Sequence, residues 1–337
     1  MGYFPAEEMS ILRILIVGGA GYIGSHTARA ARRHGFDALL YDNLSTGHEF
    51  LTDGFELIPG DIADKKALTS AMRGIDAVIH FAAHAYVGES VENPRKYFEN
   101  NVAGALALLN TAIDTGVQNF VFSSSCAVYG VPPKMPITED TYPRPVNPYG
   151  VSKLFFENAL EAYERAYGLR FASLRYFNAA GADENGETGE LHDPETHLIP
   201  LALAAASGHG PELRVLGVDY PTPDGTCIRD YVHVVDLAEA HVLALKQLVS
   251  VRKSLTVNLG TGIGHSVKQI IAAVEKVTGR NVPWHPAARR AGDPPILVAD
   301  PTRAQETLGW RAVRSLHEII LSAWNWLQLV KTREMRF

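Results

Sequence analysis

Cysteine is nearly absent: the 337 residues hold two, Cys126 and Cys227, far apart and with no Cys-x-x-Cys spacing. That excludes a disulfide framework and a cysteine-built zinc site. The thirteen histidines are scattered and never form a His-Glu-x-x-His pattern, so no metal site is expected. Long apolar runs are missing as well; none approaches the roughly 20 residues of a membrane span. Excess positive charge is also lacking. A formal net charge of −6 sets the surface against polyanions, which argues against a nucleic-acid partner. Residues 1–10 carry two glutamates and no basic cluster, the apolar run 11–17 is short, and Ala6 stands where a myristoylation signal wants Ser or Thr. These absences lead to the expectation of a cytoplasmic protein without leader or membrane contact.

What is present is ordinary in amount and informative in order. Apolar residues make up 46% and charged residues 20%, as in globular enzymes. A chain of this length exceeds one compact core, so two lobes are expected. Short apolar runs at 12–18, 36–42, 55–60, 76–82, 118–124 and 170–177 read as strands. Amphipathic stretches at 22–34, 64–72, 92–115 and 148–167 read as the helices between them. Runs such as Ile14-Leu15-Ile16-Val17 are apolar throughout, as strands covered on both faces are. The alternation predicts an α/β fold with a doubly wound parallel sheet of Rossmann type.

From about 179 the rhythm breaks. Residues 181–196 read as a polar loop, 197–207 as a short helix, 213–217 as a brief strand and 221–225 as a turn. Helices are expected at 237–248, 266–278, 302–309 and 316–330, with 255–259 a buried strand that can return to the main sheet. The expected division is a first lobe over 11–178, joined by 228–262, and a smaller interleaved α/β lobe over 179–227 and 263–330.

Gly18-Gly19-Ala20-Gly21-Tyr22-Ile23-Gly24 follows the first strand and opens the first helix. Glycines in that context let backbone N–H groups approach a pyrophosphate, which the helix N-terminus then stabilises. Asp42 closes the second strand, near the spacing at which a carboxylate accepts from the adenosine ribose hydroxyls. A carboxylate there repels a 2′-phosphate, so NAD is favoured over NADP. Asn147-Pro148 is a helix-start signal that puts Tyr149 in a first turn, with Lys153 four residues on and on the same face. A phenol with a pKa near 10 works as a base at neutral pH only if lowered by about 3 units. The ammonium of Lys153 and the helix dipole are expected to lower it. Ser125 supplies a hydroxyl able to bridge a substrate oxygen and the phenol.

The motifs extend well beyond this set. Residues 18–24, Asp42-Asn43-Leu44, Gly60-Asp61-Ile62, Val87-Gly88-Glu89-Ser90, Asn100-Asn101-Val102, Val128-Tyr129-Gly130 and Tyr149-Gly150-Val151-Ser152-Lys153 resemble the extended short-chain dehydrogenase/reductase superfamily. Arg175-Tyr176-Phe177-Asn178, Asp219-Tyr220-Pro221-Thr222, 224–230 with Tyr231, Asn258-Leu259-Gly260 and 289–293 are similar to one branch of it, the UDP-glucose 4-epimerases. The resemblance spans about 12–330. It implies NAD contacts from Gly18, Gly21, Tyr22, Ile23, Gly24, Asp42, Asn43, Asp61, Ile62, Phe81, Ala82, Ala83, Asn100, Ser123, Tyr149, Lys153 and Tyr176. For the UDP-sugar it implies Ser125, Tyr149, Asn178, His197, Leu198, Arg229, Arg290, Asp293 and Leu297. Ser125, Tyr149 and Lys153 are the implied catalytic residues.

Related dehydratases carry an Asp-Glu pair after the position of Ser125; here Cys126-Ala127 stands there and offers no acid. The implied reaction is therefore oxidation and re-reduction of one carbon, C4 of the sugar, without elimination. Three positions depart from the commonest pattern: Ala85 where many members carry Lys, His197 where Asn is frequent, and Leu297 where Tyr is frequent. They leave UDP-hexose, UDP-pentose and UDP-N-acetylglucosamine open as substrates. Relatives form dimers through a four-helix bundle, which implies a homodimer here through 92–115 and 148–167.

Overall fold

The computed structural model describes residues 11–290 and 293–334. The leader reading concerned residues 1–10, which lie outside the described residues, as do Ala291 and Gly292 of the 289–293 motif.

The first half contributes six strands: β1 (Arg13–Val17), β2 (Asp37–Asp42), β3 (Glu56–Pro59), β4 (Ala77–His80), β5 (Asn119–Ser125) and β6 (Arg170–Tyr176). The second half contributes β7 (Asn178–Ala180), β8 (Leu213–Leu216), β9 (Ile228–His233), β10 (Leu255–Leu259), β11 (Gly264–Ser266), β12 (Trp284–Ala287) and β13 (Ile296–Leu297). Seven of them form the central sheet in the order β10-β6-β5-β4-β1-β2-β3, every pair parallel. The period-2 geometry of a strand explains why β1 is apolar at every position. Ile14 and Ile16 enter one core, with the helices Tyr22–Arg33 and Val234–Val251. Leu15 and Val17 enter the other, with Ala105–Asp114 and Pro148–Tyr167. The strand order reverses between β1 and β4, which opens a crevice beyond their carboxyl ends.

The smaller second layer is built around β9, which pairs with β7, β11 and β13, while β8 pairs with β12. The helices Leu198–Ala206, Val267–Thr278 and Leu316–Glu334 flank a third core behind it. Strand β10 returns to the central sheet beside β6, as its apolar run suggested. The stretch 228–233 does not: expected to rejoin the first lobe with 234–262, it is the hub of the smaller sheet. Its sequence, Ile228-Arg229-Asp230-Tyr231-Val232-His233, lacks the continuous apolar run of a strand covered on both faces by helices.

The single helix expected over 92–115 is also divided. A short helix Pro94–Phe98 runs into a π-helical turn, Glu99–Gly104, before Ala105–Asp114 resumes α geometry. The wide turn lets Asn101 point inward, where its amide accepts from the His84 N–H at 2.9 Å and donates to the His84 carbonyl at 2.9 Å. Among the described residues, no helix is long and apolar enough to cross a membrane.

Candidate active site

The crevice begins at the glycine turn. Gly18 sits at φ +83°, and a Cβ there would lie 2.6 Å from the Ala82 nitrogen. A Cβ on Gly24 would overlap the Gly18 carbonyl oxygen. The turn is therefore a close-packed glycine cradle whose backbone leaves no room for a side chain at either position. The helix it opens is capped by Gly21 with no side-chain bond, and the first intrahelical bond runs from the Ser25 N–H to the Gly21 carbonyl at 3.0 Å. The amides of Tyr22, Ile23 and Gly24 precede it and face the cradle's end of the helix dipole, which suits a pyrophosphate. At the tip of β2, buried Asp42 accepts from Ala20 N–H at 3.0 Å and Leu44 N–H at 2.8 Å. Burial raises its pKa and the two amides oppose the rise, so the carboxylate is oriented with lone pairs to spare for ribose hydroxyls.

Beside it, Asn43 donates to the Asp61 carboxylate at 2.8 Å, and Ile62 is buried against the second core. Phe81, Ala82 and Ala83 follow β4, and Asn100 lies in the π-helical turn, donating to Asn101 at 2.9 Å. These features fit NAD: a glycine cradle, a helix N-terminus without a side-chain cap and a carboxylate at the tip of β2.

The catalytic candidates converge where β5 and β6 end. Asn147 caps the long helix by accepting from Gly150 N–H at 2.8 Å, and Pro148 occupies its first position. Tyr149 and Lys153 lie on the buried face of that helix. The Lys153 ammonium donates to the Ser123 carbonyl at 2.7 Å and sits 5.8 Å from the centre of the Tyr149 ring. Ser123 and Tyr176 are hydrogen-bonded through their hydroxyls. Ser125 accepts from Ala127 N–H at 3.2 Å, and its hydroxyl acts on the Tyr149 phenol.

Burial opposes the lowering of the Tyr149 phenol expected from its neighbours. Burial pushes the Tyr149 phenol up to about 12, with Ser125 opposing and Cys126 adding to the rise. Burial also lowers Lys153 to about 7, with Glu157 opposing. Desolvation therefore dominates both groups, an effect of burial that the spacing alone did not reveal.

The helix face has a third member that the sequence reading missed. Glu157, one more i+4 step along from Lys153, accepts from Ser124 at 2.6 Å and from Arg175 at 2.9 Å. Arg175 in turn donates to Tyr129 at 3.0 Å, and Tyr129 to Asn258 at 2.7 Å. This buried chain ties β5, β6 and β10 together beneath the catalytic side chains. The spacing of 149, 153 and 157 was the signal available for the helix face of Glu157, though not for its partners.

Across the crevice, Asn178 opens β7 in register with Tyr231. Arg229 on β9 pairs with Asp293 at 2.6 Å and donates to the Pro294 carbonyl at 2.8 Å. Burial works against its charge, and the Asp293 carboxylate more than offsets it. Arg290 is exposed. Leu297, paired in register with Arg229 on β13, is buried in a cluster with Val128, Tyr129 and Phe177 that Cys126 lines. His197 caps the helix that Leu198 opens. Its ring does not stand alone: Glu190, His192, Glu195 and His197 place one ligand-type atom each within 4.8 Å of one another. Burial lowers both imidazoles, and the two carboxylates overcome it, holding His192 at about 9 and His197 at about 10. No His-Glu-x-x-His pattern announces this cluster, which forms on the 181–197 loop and not along one helix face.

The chain as a whole is similar to known proteins. A UDP-glucose 4-epimerase of Rhizobium meliloti is 49% identical over 315 residues, 93% of this chain and 96% of that protein. The crystal structure of a UDP-glucose 4-epimerase from Brucella ovis in complex with NAD superposes with a TM-score of 0.91 at 54% identity, covering 93% of this chain and 98% of that one. One from Stenotrophomonas maltophila, with bound NAD and formylated UDP-arabinopyranose, gives 0.92 at 40% identity over 96% and 99%. The sequence profile of the NAD dependent epimerase/dehydratase family matches residues 14–260, more than half the chain and all of the cradle and catalytic helix. With a glycine cradle and a Ser/Tyr/Lys set at the ends of adjoining strands, this chain belongs to that family.

Proposed function

We propose that the protein is an NAD-dependent epimerase that inverts C4 of a UDP-hexose, interconverting UDP-glucose and UDP-galactose through a transient 4-keto sugar. The observation that carries this is the placement of Tyr149, Ser125 and Lys153 at one end of the crevice with Cys126-Ala127 beside them, a set that moves a proton but offers no acid for elimination. Bound NAD supplies the acceptor and donor of the C4 hydrogen in the two halves of the reaction. Tyr149 takes the proton of the 4-hydroxyl as C4 is oxidised and returns it as C4 is reduced from the opposite face. Ser125 bridges the phenol and the sugar oxygen, and Lys153, when protonated, supplies the positive charge that burial denies the phenolate. Bringing a phenol from about 12 to neutrality takes roughly 7 kcal/mol, so these charges are needed at the moment of reaction.

For the sugar to turn, the enzyme must hold the part that does not change. We assign the UDP phosphates to Asn178, Arg229 and Arg290, the uridine ribose to Asp293, and the neighbouring wall to His197, Leu198 and Leu297. The Arg229–Asp293 pair supports this because it fixes a guanidinium before substrate arrives. The remaining assigned NAD contacts are those that line the cradle and the ends of β2, β4, β5 and β6. We assign the nucleotide lobe to 11–178 with 234–262, and the UDP-sugar lobe to 179–233 and 263–330.

UDP-pentose epimerisation is the second reading. Ala85 favours it, and so does the likeness to the Stenotrophomonas structure with its arabinopyranose nucleotide. We also propose a cytoplasmic homodimer. The helix Pro148–Tyr167 exposes Val151 and Phe155 one turn apart, with Phe98 also exposed on the neighbouring Pro94–Phe98 helix, an apolar face suited to a second copy. Incubation with UDP-galactose, UDP-xylose and UDP-N-acetylglucosamine separately, with chromatographic resolution of products, tests the assignment. UDP-glucose from UDP-galactose is the expected main product. Turnover of UDP-xylose alone would transfer the assignment to pentoses, and no turnover of any would overturn it.

A further inference from the structure

The 189–197 loop lies between the start of the first helix and the Tyr86 segment, and its backbone is pinned from both sides. Trp326 donates to the Glu190 carbonyl at 2.8 Å, and the His48 ring bonds the Leu191 carbonyl at 2.9 Å. On this braced segment, His197 Nδ1 lies 2.6 Å from Glu190 Oε1 and 3.3 Å from Glu195 Oε1. His192 Nδ1 lies 3.2 Å from Glu190 Oε1 and 3.7 Å from Glu195 Oε2. Among the described residues, no other group of His, Cys, Asp or Glu side chains converges in this way.

A second observation marks the cluster as a ligand set. Glu190 is 6% exposed, and its Oε1 and the Nδ1 atoms of both histidines are buried without a well-formed hydrogen bond in the structure. Buried polar atoms of this kind call for a partner. Donor atoms around a tetrahedral zinc ion, each about 2.0–2.1 Å from it, stand roughly 3.3 Å apart. The three N···O separations that use one oxygen of each carboxylate, 2.6, 3.2 and 3.3 Å, lie at or below that value. Two imidazoles and two carboxylates carry two negative charges when the rings are neutral, which one divalent cation balances. Imidazole donors select zinc-class ions over magnesium or calcium. Glu195 is oriented as a ligand would be, accepting from the Thr196 and His197 N–H groups at 2.7 Å each. The rings of Tyr22 and Tyr86 enclose the cluster, their centroids 6.3 Å and 6.0 Å from that of His192.

We propose that Glu190, His192, Glu195 and His197 bind one divalent transition-metal ion of the zinc class, which clasps this loop beside the crevice.

The test uses the untagged protein, stripped with a chelator, dialysed against zinc chloride and assayed for bound metal. The expected result is one ion per chain, a higher Tm than the stripped protein, and a visible d–d band of tetrahedral type when cobalt replaces zinc. Glu190→Gln with His192→Gln should weaken binding by more than the about 10- to 100-fold that loss of an outer partner costs, with circular dichroism unchanged. His285→Gln, at an exposed histidine beside Glu212, should keep the full stoichiometry. X-ray absorption of the zinc-loaded wild type needs no variant and should show four N/O ligands, two of them imidazoles. Metal content near zero in the folded wild type, an ion retained by the folded double variant, or a six-oxygen shell would overturn the site and leave two protons as the occupants of the cluster.

Discussion

Two regions of this protein are assigned the same chemical group, a pyrophosphate, and they are built in opposite ways. On the cofactor side the turn has no cationic side chain; the assigned grip is backbone N–H groups, glycines and a helix N-terminus at the carboxyl end of β1, inside the central sheet. The substrate side, as assigned, uses side chains from a second, smaller layer, where Arg229 is paired with Asp293. A backbone cradle suits a molecule that stays through every turnover. Guanidiniums from strands and loops of a smaller layer suit one that must enter, hold by its unchanged end while the sugar turns, and leave. The assigned catalytic set comes from the end of β5 and the helix Pro148–Tyr167 packed on the central sheet, in the same layer as the cofactor side.

The sharpest break belongs to neither grip. Tyr149→Phe should lower kcat by about 1,000-fold or more while substrate KM and NAD content stay near wild type, measured by steady-state kinetics and cofactor extraction. Gly24→Ala attacks the backbone grip alone, because the added carbon meets the Gly18 carbonyl. The NAD content of the purified protein should fall more than about tenfold, with UDP affinity by calorimetry unchanged. Arg229→Ala attacks the side-chain grip alone. Removing one partner of a buried charge pair costs at least about 2 kcal/mol, so KM for the UDP-sugar should rise about 30-fold with NAD content intact.

The smallest effect concerns stability. Lys153 has a pKa of about 7 in the fold against 10.5 in the unfolded chain, so the unfolded chain binds more protons between those values. Stability therefore rises with pH across that window, and the cost of burying the ammonium is full below pH 7. Lys153→Met should raise stability by about 1–2 kcal/mol at pH 6 and by less at pH 9, in denaturant titrations, while activity falls.

The contrast between the regions also decides what the sequence could tell. The glycine turn, the strand run of β1 and the Asn147-Pro148-Tyr149 helix start were legible because their chemistry is local: turn conformation, period-2 burial and capping act within a few residues. Asp42 was legible because strand, turn and helix lengths fix its spacing from the glycines. The bond between Glu157 and Arg175 joins a helix to a strand, and nothing local announces it. The rise of Tyr149 to about 12 was hidden for a related reason: its neighbours in sequence are favourable, while its burial is set by the whole fold. The inward turn of Asn101 depends on a π-helical step that periodicity reads as plain helix. On the substrate side, the pairing of Arg229 with Asp293 required β13 to be laid beside β9.

The central claim is that one hydrogen leaves C4 of the sugar and returns to the same carbon on its other face, with Tyr149 handling only the proton. UDP-galactose carrying deuterium at C4, turned over in ordinary water and examined by mass spectrometry and NMR, tests it most directly. The account predicts UDP-glucose that keeps its deuterium at C4. Product with solvent hydrogen at C4 would contradict it.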